Sequence, residues 1–305
     1  AYSYVSDDFF GFLDDYEGTG HNDLIDIGIG RLPAKTLQEA TDMVDKIIYY
    51  NTEQKSKGDW RNVICLVADD ENDNIHLEHA EKLASLVDTT YATYNIDKIY
   101  LDAYPKVSTP GGSRFPDVNT AINKRVDKGC LIMNYTGHGG EVGWALERVL
   151  EISDIESWKN INNMPVFVTA TCEFSRFDDP ERTSAGEMVC LKPNAGAIAM
   201  FTTTRPTYGY PNSQLNQSFF KYALKKDNSG GYLKMGDVIR LSKRENISEG
   251  NNERKFVLLG DPALSIAFPR LNILTDSVTT YGKLTDTLKA LANVQVYGSI
   301  HELTG

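Results

Sequence analysis

Two patterns of hydrophobic and polar positions alternate along most of the chain. Short apolar runs rich in β-branched residues predict strands, and segments with a helical repeat of apolar positions lie between them. Thr36, with Glu39 three residues later, forms a capping-box sequence that predicts the first helix. The predicted strands lie at 60–68, 94–100, 131–135, 165–170, 196–202 and 256–266, and the helices at 36–50, 75–87, 115–128, 184–191, 213–225 and 235–246. This order predicts a doubly wound α/β domain with a mainly parallel sheet up to about residue 268.

The pattern changes after residue 270 to short β segments, among them 294–298. A stretch of about 30 residues is too short to bury the core of a β-sandwich on its own. We interpret 270–305 as the first strands of a truncated Ig-like β domain.

Two of the predicted strands lead directly into residues that can do covalent chemistry. The run 131–135 leads to His138, and the run 165–170 leads to Cys172. Sites in open α/β sheets form outside the carboxyl ends of the strands, so neighbouring strands would bring the two side chains together. A thiol beside an imidazole is the nucleophile and base of a cysteine peptidase. The alternative is that both residues serve core packing or a turn.

The backbone around this pair could complete the site. Gly139 can adopt unusual dihedral angles and point its N–H at a developing oxyanion. The N–H of Cys172 is the natural second donor. The remaining cysteines, Cys65, Cys130 and Cys190, lie in apolar runs or on a helix and are predicted to be inert core residues.

Composition excludes some classes of function. The 305-residue chain has 41% hydrophobic residues and a net charge of −11, which disfavours nucleic acid as a partner. The sequence contains no apolar run of about 18 residues and no signal peptide. Because it begins at Ala1 in what looks like mid-sequence, we expect a fragment of a longer precursor.

Acidic segments at 7–17 and 69–74 raise the question of a metal. The oxygen ligands of 69–74 are dense enough to suit a hard cation such as calcium, but this segment lacks the glycine and the distal glutamate of an EF-hand loop, and a solvated acidic loop is the alternative. The glycines at 28 and 30 lack the third glycine and the following helix of a dinucleotide-binding loop.

Three motifs resemble one family. The stretch 134–141 (NYTGHGGE) with Trp144, the stretch 170–172 (ATC) and the stretch 259–264 (LGDPAL) are similar to the histidine motif, the nucleophile motif and the domain end of the gingipain-type (C25) cysteine peptidases. The resemblance covers about residues 1–268. The stretches 7–15 (DDFFGFLDD), 25–31 (IDIGIGR) and 68–72 (ADDEN) are similar to family members that act as sortases of the type IX secretion system of Bacteroidota.

The resemblance implies a caspase-like fold, with an N-terminal subdomain at 1–51 and a catalytic subdomain at 58–269. It implies Cys172 as nucleophile and His138 as general acid and base. Asp69 or Asp70 would orient His138 or stabilise its imidazolium. The residues placed near the substrate pocket are Asp73, Trp144 and Tyr208, and arginine specificity is not carried over.

The resemblance also implies an activity and partners. A sortase of this kind removes C-terminal sorting domains from exported proteins and transfers the acyl group from Cys172 to an amine of anionic lipopolysaccharide, or to water. It would lie at the outer-membrane surface or be secreted, beside other outer-membrane secretion components. No cofactor is required, and a structural calcium ion would be compatible. The alternatives are a secreted gingipain-like protease that degrades extracellular proteins and a catalytically silent scaffold module.

Overall fold

The structure is a computed structural model that describes residues 4–227, 230–247, 250–269 and 271–302. Residues 270 and 303–305 of the predicted β domain lie outside the described residues. Strands and helices are numbered in chain order. The strands are β1 (Val63–Ala68), β2 (Asn95–Tyr100), β3 (Val107–Thr109), β4 (Gly112–Arg114), β5 (Ile132–Thr136), β6 (Gly139–Gly140), β7 (Gly143–Trp144), β8 (Leu150–Glu151), β9 (Val166–Ala170), β10 (Ala199–Thr203), β11 (Phe256–Leu259), β12 (Leu271–Thr280), β13 (Lys283–Leu284) and β14 (Val294–Glu302).

The α-helices are α1 (Leu37–Thr52), α2 (Ile75–Thr90), α3 (Pro116–Lys128), α4 (Ile152–Ser157), α5 (Ala185–Leu191), α6 (Gly209–Leu224) and α7 (Met235–Glu245). Short 3₁₀ helices lie at Asp7–Gly11, Gln54–Ser56, Asp59–Asn62, Leu101–Ala103, Ile161–Asn163 and Glu253–Lys255. The predicted capping box of α1 is present, because Thr36 and Glu39 each accept a hydrogen bond from the other's backbone N–H. These two bonds satisfy donors that the first helical turn leaves unpaired.

A six-stranded sheet in the order β2-β1-β5-β9-β10-β11 forms the centre of the fold. All neighbouring strands are parallel except β11, which runs antiparallel to β10 at one edge. Every residue of β5, β9 and β10 is buried, as expected for strands covered on both faces. Helices α2, α6 and α7 cover one face, and α1, α3, α4 and α5 cover the other. The predicted mainly parallel α/β fold is therefore confirmed.

The direction of winding reverses between β1 and β5. The chain runs from β1 outward to β2 and then returns past β1 to β5, β9 and β10. Such a reversal leaves a crevice at the carboxyl ends of the two strands, because the connections leave them on opposite faces. The loops that follow β1, at 69–74, and β5, at 137–138, border this crevice.

Ion pairs and a backbone bridge attach the N-terminal segment to the β11 edge. Arg31 bridges to Leu259, donates its backbone N–H to Leu258 and accepts from Gly260, both at 2.8 Å. Its guanidinium pairs with Asp7, and Asp8 pairs with the buried Lys243 at 2.5 Å. Asp7 and Asp8 of the acidic segment are therefore committed to ion pairs.

The described residues form two compact units. One unit holds those up to 225 together with 232–267, which includes most of the predicted catalytic subdomain and the described part of the N-terminal one. The predicted subdomain boundaries stay predictions. The other unit holds the described part of 226–231 and 268–305, in which β12 pairs with β13 and β14 in an antiparallel sheet. Within the described residues, no helix combines the length and apolar character needed to cross a membrane.

Candidate active site

The structure brings His138 and Cys172 to equivalent positions after neighbouring strands. Strands β5 and β9 pair in parallel with Thr136 opposite Ala170, so each of the two residues lies two positions past the paired ends. The N–H of Gly137 still bonds the carbonyl of Ala170, at 3.4 Å. Parallel strands lie roughly 4.8 Å apart, and this register therefore places imidazole and thiol at one sheet edge.

Hydrogen bonds fix the backbone of His138 on both sides. Its N–H donates to Oδ2 of Asp69 at 2.8 Å. Its carbonyl accepts from the hydroxyl of Tyr135 at 2.5 Å and from the N–H of Ala145 at 2.8 Å. The loop that carries the imidazole is therefore held to the ends of two strands.

Asp69 supports this loop through the backbone of His138. Its second oxygen accepts from the N–H of Asp70 at 2.9 Å, and in the described part of the chain neither oxygen bonds the imidazole. Burial raises the pKa of Asp69 to about 6, although the N–H and the charge of His138 oppose this rise. Asp70 pairs instead with Lys106 at 2.7 Å. Asp69 therefore holds the main chain of His138, and Asp70 pairs with Lys106; that one of these carboxylates orients His138 or stabilises its imidazolium stays a prediction.

The side chain that does contact the imidazole is Asn72, which sequence reasoning missed. Its Nδ2 lies 2.8 Å from Nε2 of His138 and 3.3 Å from Nε2 of His76. The ring of His76 packs edge-on against that of His138, with centroids 5.3 Å apart. The available signal was a run of Asn and Asp after a buried strand, since these residues tolerate left-handed turns that reach back toward a site.

Cys172 differs from the other thiols in its environment. It is partly exposed, whereas Cys65, Cys130 and Cys190 are buried, and burial raises the pKa of Cys130 and of Cys190 to about 12. The backbone N–H of Thr207 lies 3.4 Å from Sγ of Cys172, where it can stabilise a thiolate. Cys172 is therefore the cysteine suited to act as a nucleophile.

The predicted oxyanion donors lie on rigid backbone. In the described part of the chain the N–H of Cys172 bonds no backbone carbonyl. Gly139 begins a three-stranded antiparallel sheet of β6, β7 and β8 and packs directly on Thr171. A Cβ at Gly139 would lie 2.6 Å from Oγ1 of Thr171, so only glycine fits this close approach. Their role as oxyanion donors stays a prediction.

The three predicted pocket residues differ in their exposure to solvent. Trp144 is completely buried and stacks on Tyr135 with ring centroids 4.4 Å apart, so its placement in the substrate pocket was wrong. Its apolar ring belongs to the core beneath the β6–β8 sheet. Tyr208 is 66% exposed, with the ammonium of Lys255 5.2 Å from its ring centroid, and can contact a substrate. Asp73 is exposed on the loop after β1.

Two acidic clusters are the candidates for calcium. Carboxylate oxygens of Asp69, Asp70 and Glu147 lie within 4.8 Å of one another, as do those of Asp14, Glu17 and Asp26. In the first cluster Lys106 bonds Asp70 at 2.7 Å and Glu147 at 2.9 Å, so its ammonium supplies the positive charge. Carboxylate donors suit calcium, but a cation there would have to displace Lys106. A structural calcium ion stays a prediction.

Residues 1–267 match the family model of peptidase family C25. The chain therefore belongs to this family of cysteine peptidases. Among solved structures it is similar to the Arg-specific cysteine proteinase gingipain R (RGPB), with 18% identity and a TM-score of 0.71 over 90% of this chain and 63% of that chain. A complex of the pro- and mature domains of RgpB from Porphyromonas gingivalis has 18% identity and a TM-score of 0.69, over 89% of this chain and 64% of that chain.

Dimeric latent PorU from Porphyromonas gingivalis shares 22% identity over 98% of this chain and 23% of that chain, with a TM-score of 0.40. The chain spans about 63% of the length of the gingipain R chain described above. No curated protein matches the chain. The expected gingipain-type family and caspase-like α/β fold are confirmed.

Proposed function

We propose that this chain is the catalytic part of a sortase-type cysteine endopeptidase and transpeptidase that removes C-terminal sorting domains from exported proteins. The observation that carries the peptidase chemistry is the matched position of His138 and Cys172 past the paired ends of β5 and β9. An imidazole beside a half-buried thiol can take its proton and later return it to a leaving amine.

The reaction has two halves. The thiolate of Cys172 attacks the carbonyl carbon of the scissile bond, and backbone N–H groups of Cys172 and Gly139 stabilise the oxyanion. His138 gives a proton to the departing amine, which leaves a thioester on Cys172. In the second half His138 takes a proton from the acceptor, and the acceptor displaces the thiol. An amine of anionic lipopolysaccharide gives transfer, and water gives hydrolysis.

The sortase assignment is supported by sequence segments whose structural role is now visible. Asp7, Asp8 and Arg31 belong to two of those segments and form ion pairs that attach the N-terminus to the sheet edge. These segments therefore hold the N-terminus on the β11 edge of the central sheet. With that assignment we place the protein at the outer-membrane surface or outside the cell, with outer-membrane secretion components as its partners.

The test is incubation of an exported protein that carries a C-terminal sorting domain with the wild-type chain, followed by intact mass measurement. We expect release of the sorting domain, and in the presence of an aminated lipopolysaccharide a second product whose mass includes the acceptor. Cys172→Ala should abolish both products. Cys190→Ala is the matched control, because this buried thiol bonds the carbonyl of Leu259 and lies in the core.

The same experiment separates the alternatives. Cleavage of an unfolded protein without a sorting domain at an equal rate would favour a secreted protease of broad action, which the fold similarity to gingipain R also suits. Absence of cleavage for both substrates, with slow alkylation of Cys172, would favour a silent scaffold module.

A further inference from the structure

We propose that Asn72 is the positioning residue of the site, and that its amide selects which nitrogen of His138 carries the proton. The proposal rests on the proposed peptidase function and concerns a residue to which the motifs gave no role. Nδ2 of Asn72 is 2.8 Å from Nε2 of His138. Among the described residues Nδ1 of His138 has no hydrogen-bond partner, so Nδ1 is the nitrogen left to exchange a proton with Cys172.

The loop is built to hold this amide in place. Asn72, Asp73 and Asn74 have φ angles of 60°, 51° and 65°, three consecutive residues in the left-handed region. Such a run is costly for residues with a side chain and persists only where the surroundings fix it. Here the carbonyl of Asn72 accepts from the N–H of Ile75, where α2 begins. The turn connects β1 to α2 and directs Asn72 across the crevice to His138.

The orientation of the Asn72 amide sets which neutral form of the imidazole it can bond. The amide nitrogen only donates, so in the observed orientation Nε2 of His138 accepts and the ring proton lies on Nδ1. Rotation of the amide by half a turn presents Oδ1, which accepts from an Nε2–H and frees Nδ1 to take the proton of Cys172. The oxygen also stabilises the imidazolium that then forms. A carboxylate in this position could only accept, and would hold the ring in its protonated state.

His76 contacts the same amide nitrogen. Its Nε2 lies 3.3 Å from Nδ2 of Asn72, so that two imidazoles share the two amide hydrogens. Burial, and after it the charge of His138, lowers the pKa of His76 to about 4, and the ring is therefore neutral at working pH. The charged group that faces His138 is Asp69, at the end of β1. The nearby carboxylates of Asp70 and Glu147 form ion pairs with Lys106. Asp69, with its pKa of about 6, changes its charge within the titration range of an imidazole, but neither of its oxygens bonds the ring, and the amide of Asn72 is the group that contacts Nε2 of His138.

The experiment measures the tautomer and pKa of His138 directly. The full 305-residue chain, labelled with ¹⁵N-histidine, is titrated by NMR, and His138→Ala identifies the signal of His138 among the five histidines. The pH profile of Cys172 alkylation by iodoacetamide is measured on the same samples. The variants are Asn72→Asp and Asn72→Ala, with Asn74→Asp as matched control, because Asn74 has the same left-handed backbone and makes no side-chain capping bond.

We expect Asn72→Asp to raise the pKa of His138 by about one unit or more and to fix its neutral form with the proton on Nε2. Asn72→Ala should change the tautomer ratio and slow alkylation near neutral pH about tenfold or more, because the ring loses its orientation. Asn74→Asp adds the same charge farther away, where water and salt screen it, and should give a much smaller shift.

The outcomes separate the two proposals. If wild type alkylates no faster than a free thiol and His138→Ala changes nothing, the peptidase proposal fails, and the role of Asn72 falls with it. If His138→Ala slows alkylation while both Asn72 variants keep the wild-type tautomer and pKa of His138, only the role of Asn72 is refuted. Equal shifts in Asn72→Asp and Asn74→Asp would reduce it to an effect of net charge, and would also refute it.

Discussion

Replacing Asp69 by Asn should change how the stability of the protein depends on pH. Burial raises the pKa of this carboxyl from 3.8 to about 6. The folded state therefore binds the proton more tightly than the unfolded chain, so Asp69 favours folding below about pH 4 and this contribution is lost as the pH rises to 6. The shift is about two units, and at about 1.36 kcal/mol per unit it corresponds to about 3 kcal/mol.

The measurement is urea unfolding of wild type and Asp69→Asn at several pH values between 4 and 8. Asn lacks the carboxyl titration and keeps one acceptor for the two N–H groups, so the lost hydrogen bond gives an offset of about 1 to 3 kcal/mol that does not depend on pH. We expect the free energy of unfolding of the variant, minus that of wild type, to increase by about 2 kcal/mol from pH 4 to pH 8, since part of the full difference lies below pH 4.

Asp23 provides a control of opposite sign. Backbone N–H groups of Gly20 and Gly18 lower the pKa of Asp23, so its contribution to stability is present at neutral pH and lost as the pH falls. The difference between Asp23→Asn and wild type, measured also below pH 4, should therefore decrease as the pH rises to about 4 and change little at higher pH. If the difference for Asp69→Asn stays constant, or also decreases as the pH rises, then burial does not raise the pKa of Asp69 and the reasoning is refuted.

Three further substitutions test the packing around the site. Trp144→Ala should cost about 3 to 5 kcal/mol of stability, because the ring is fully buried, and thermal unfolding would measure it; a change in KM at unchanged stability would restore Trp144 to the pocket. Lys243→Met should cost a similar amount by leaving Asp8 buried without its cation, and combining it with Asp8→Asn should recover most of the loss in urea unfolding. Gly139→Ala should lower kcat, because the added methyl group would collide with Thr171. Adding Thr171→Ala should restore part of the lost kcat, and an equal kcat in the single and the double variant would contradict this explanation.

The local pattern of the sequence was sufficient for the architecture and for the two reactive residues. Buried parallel strands read as short apolar runs, because both of their faces are covered, and the capping box marked the start of α1. His138 and Cys172 each follow such a run, so the rule for the carboxyl ends of strands predicted their proximity before the strand order was known. The strands, the helix cap and the positions of the two reactive residues all depend on residues that are close in sequence, so the pattern of apolar and polar positions is enough to predict them.

Only the tertiary structure decided which side chains meet around that pair. Trp144 follows the histidine motif closely in sequence, but its large ring is buried against Tyr135. Burial is favourable because it removes the apolar surface of the ring from water. Lys106, on a loop distant in sequence, pairs with Asp70. The left-handed turn after β1 places Asn72 against His138. Such contacts join residues far apart in the chain, and their geometry depends on backbone angles and on competing charges. The sequence by itself therefore determined that one thiol and one imidazole follow neighbouring buried strands, and the folded arrangement determined which side chains contact that imidazole.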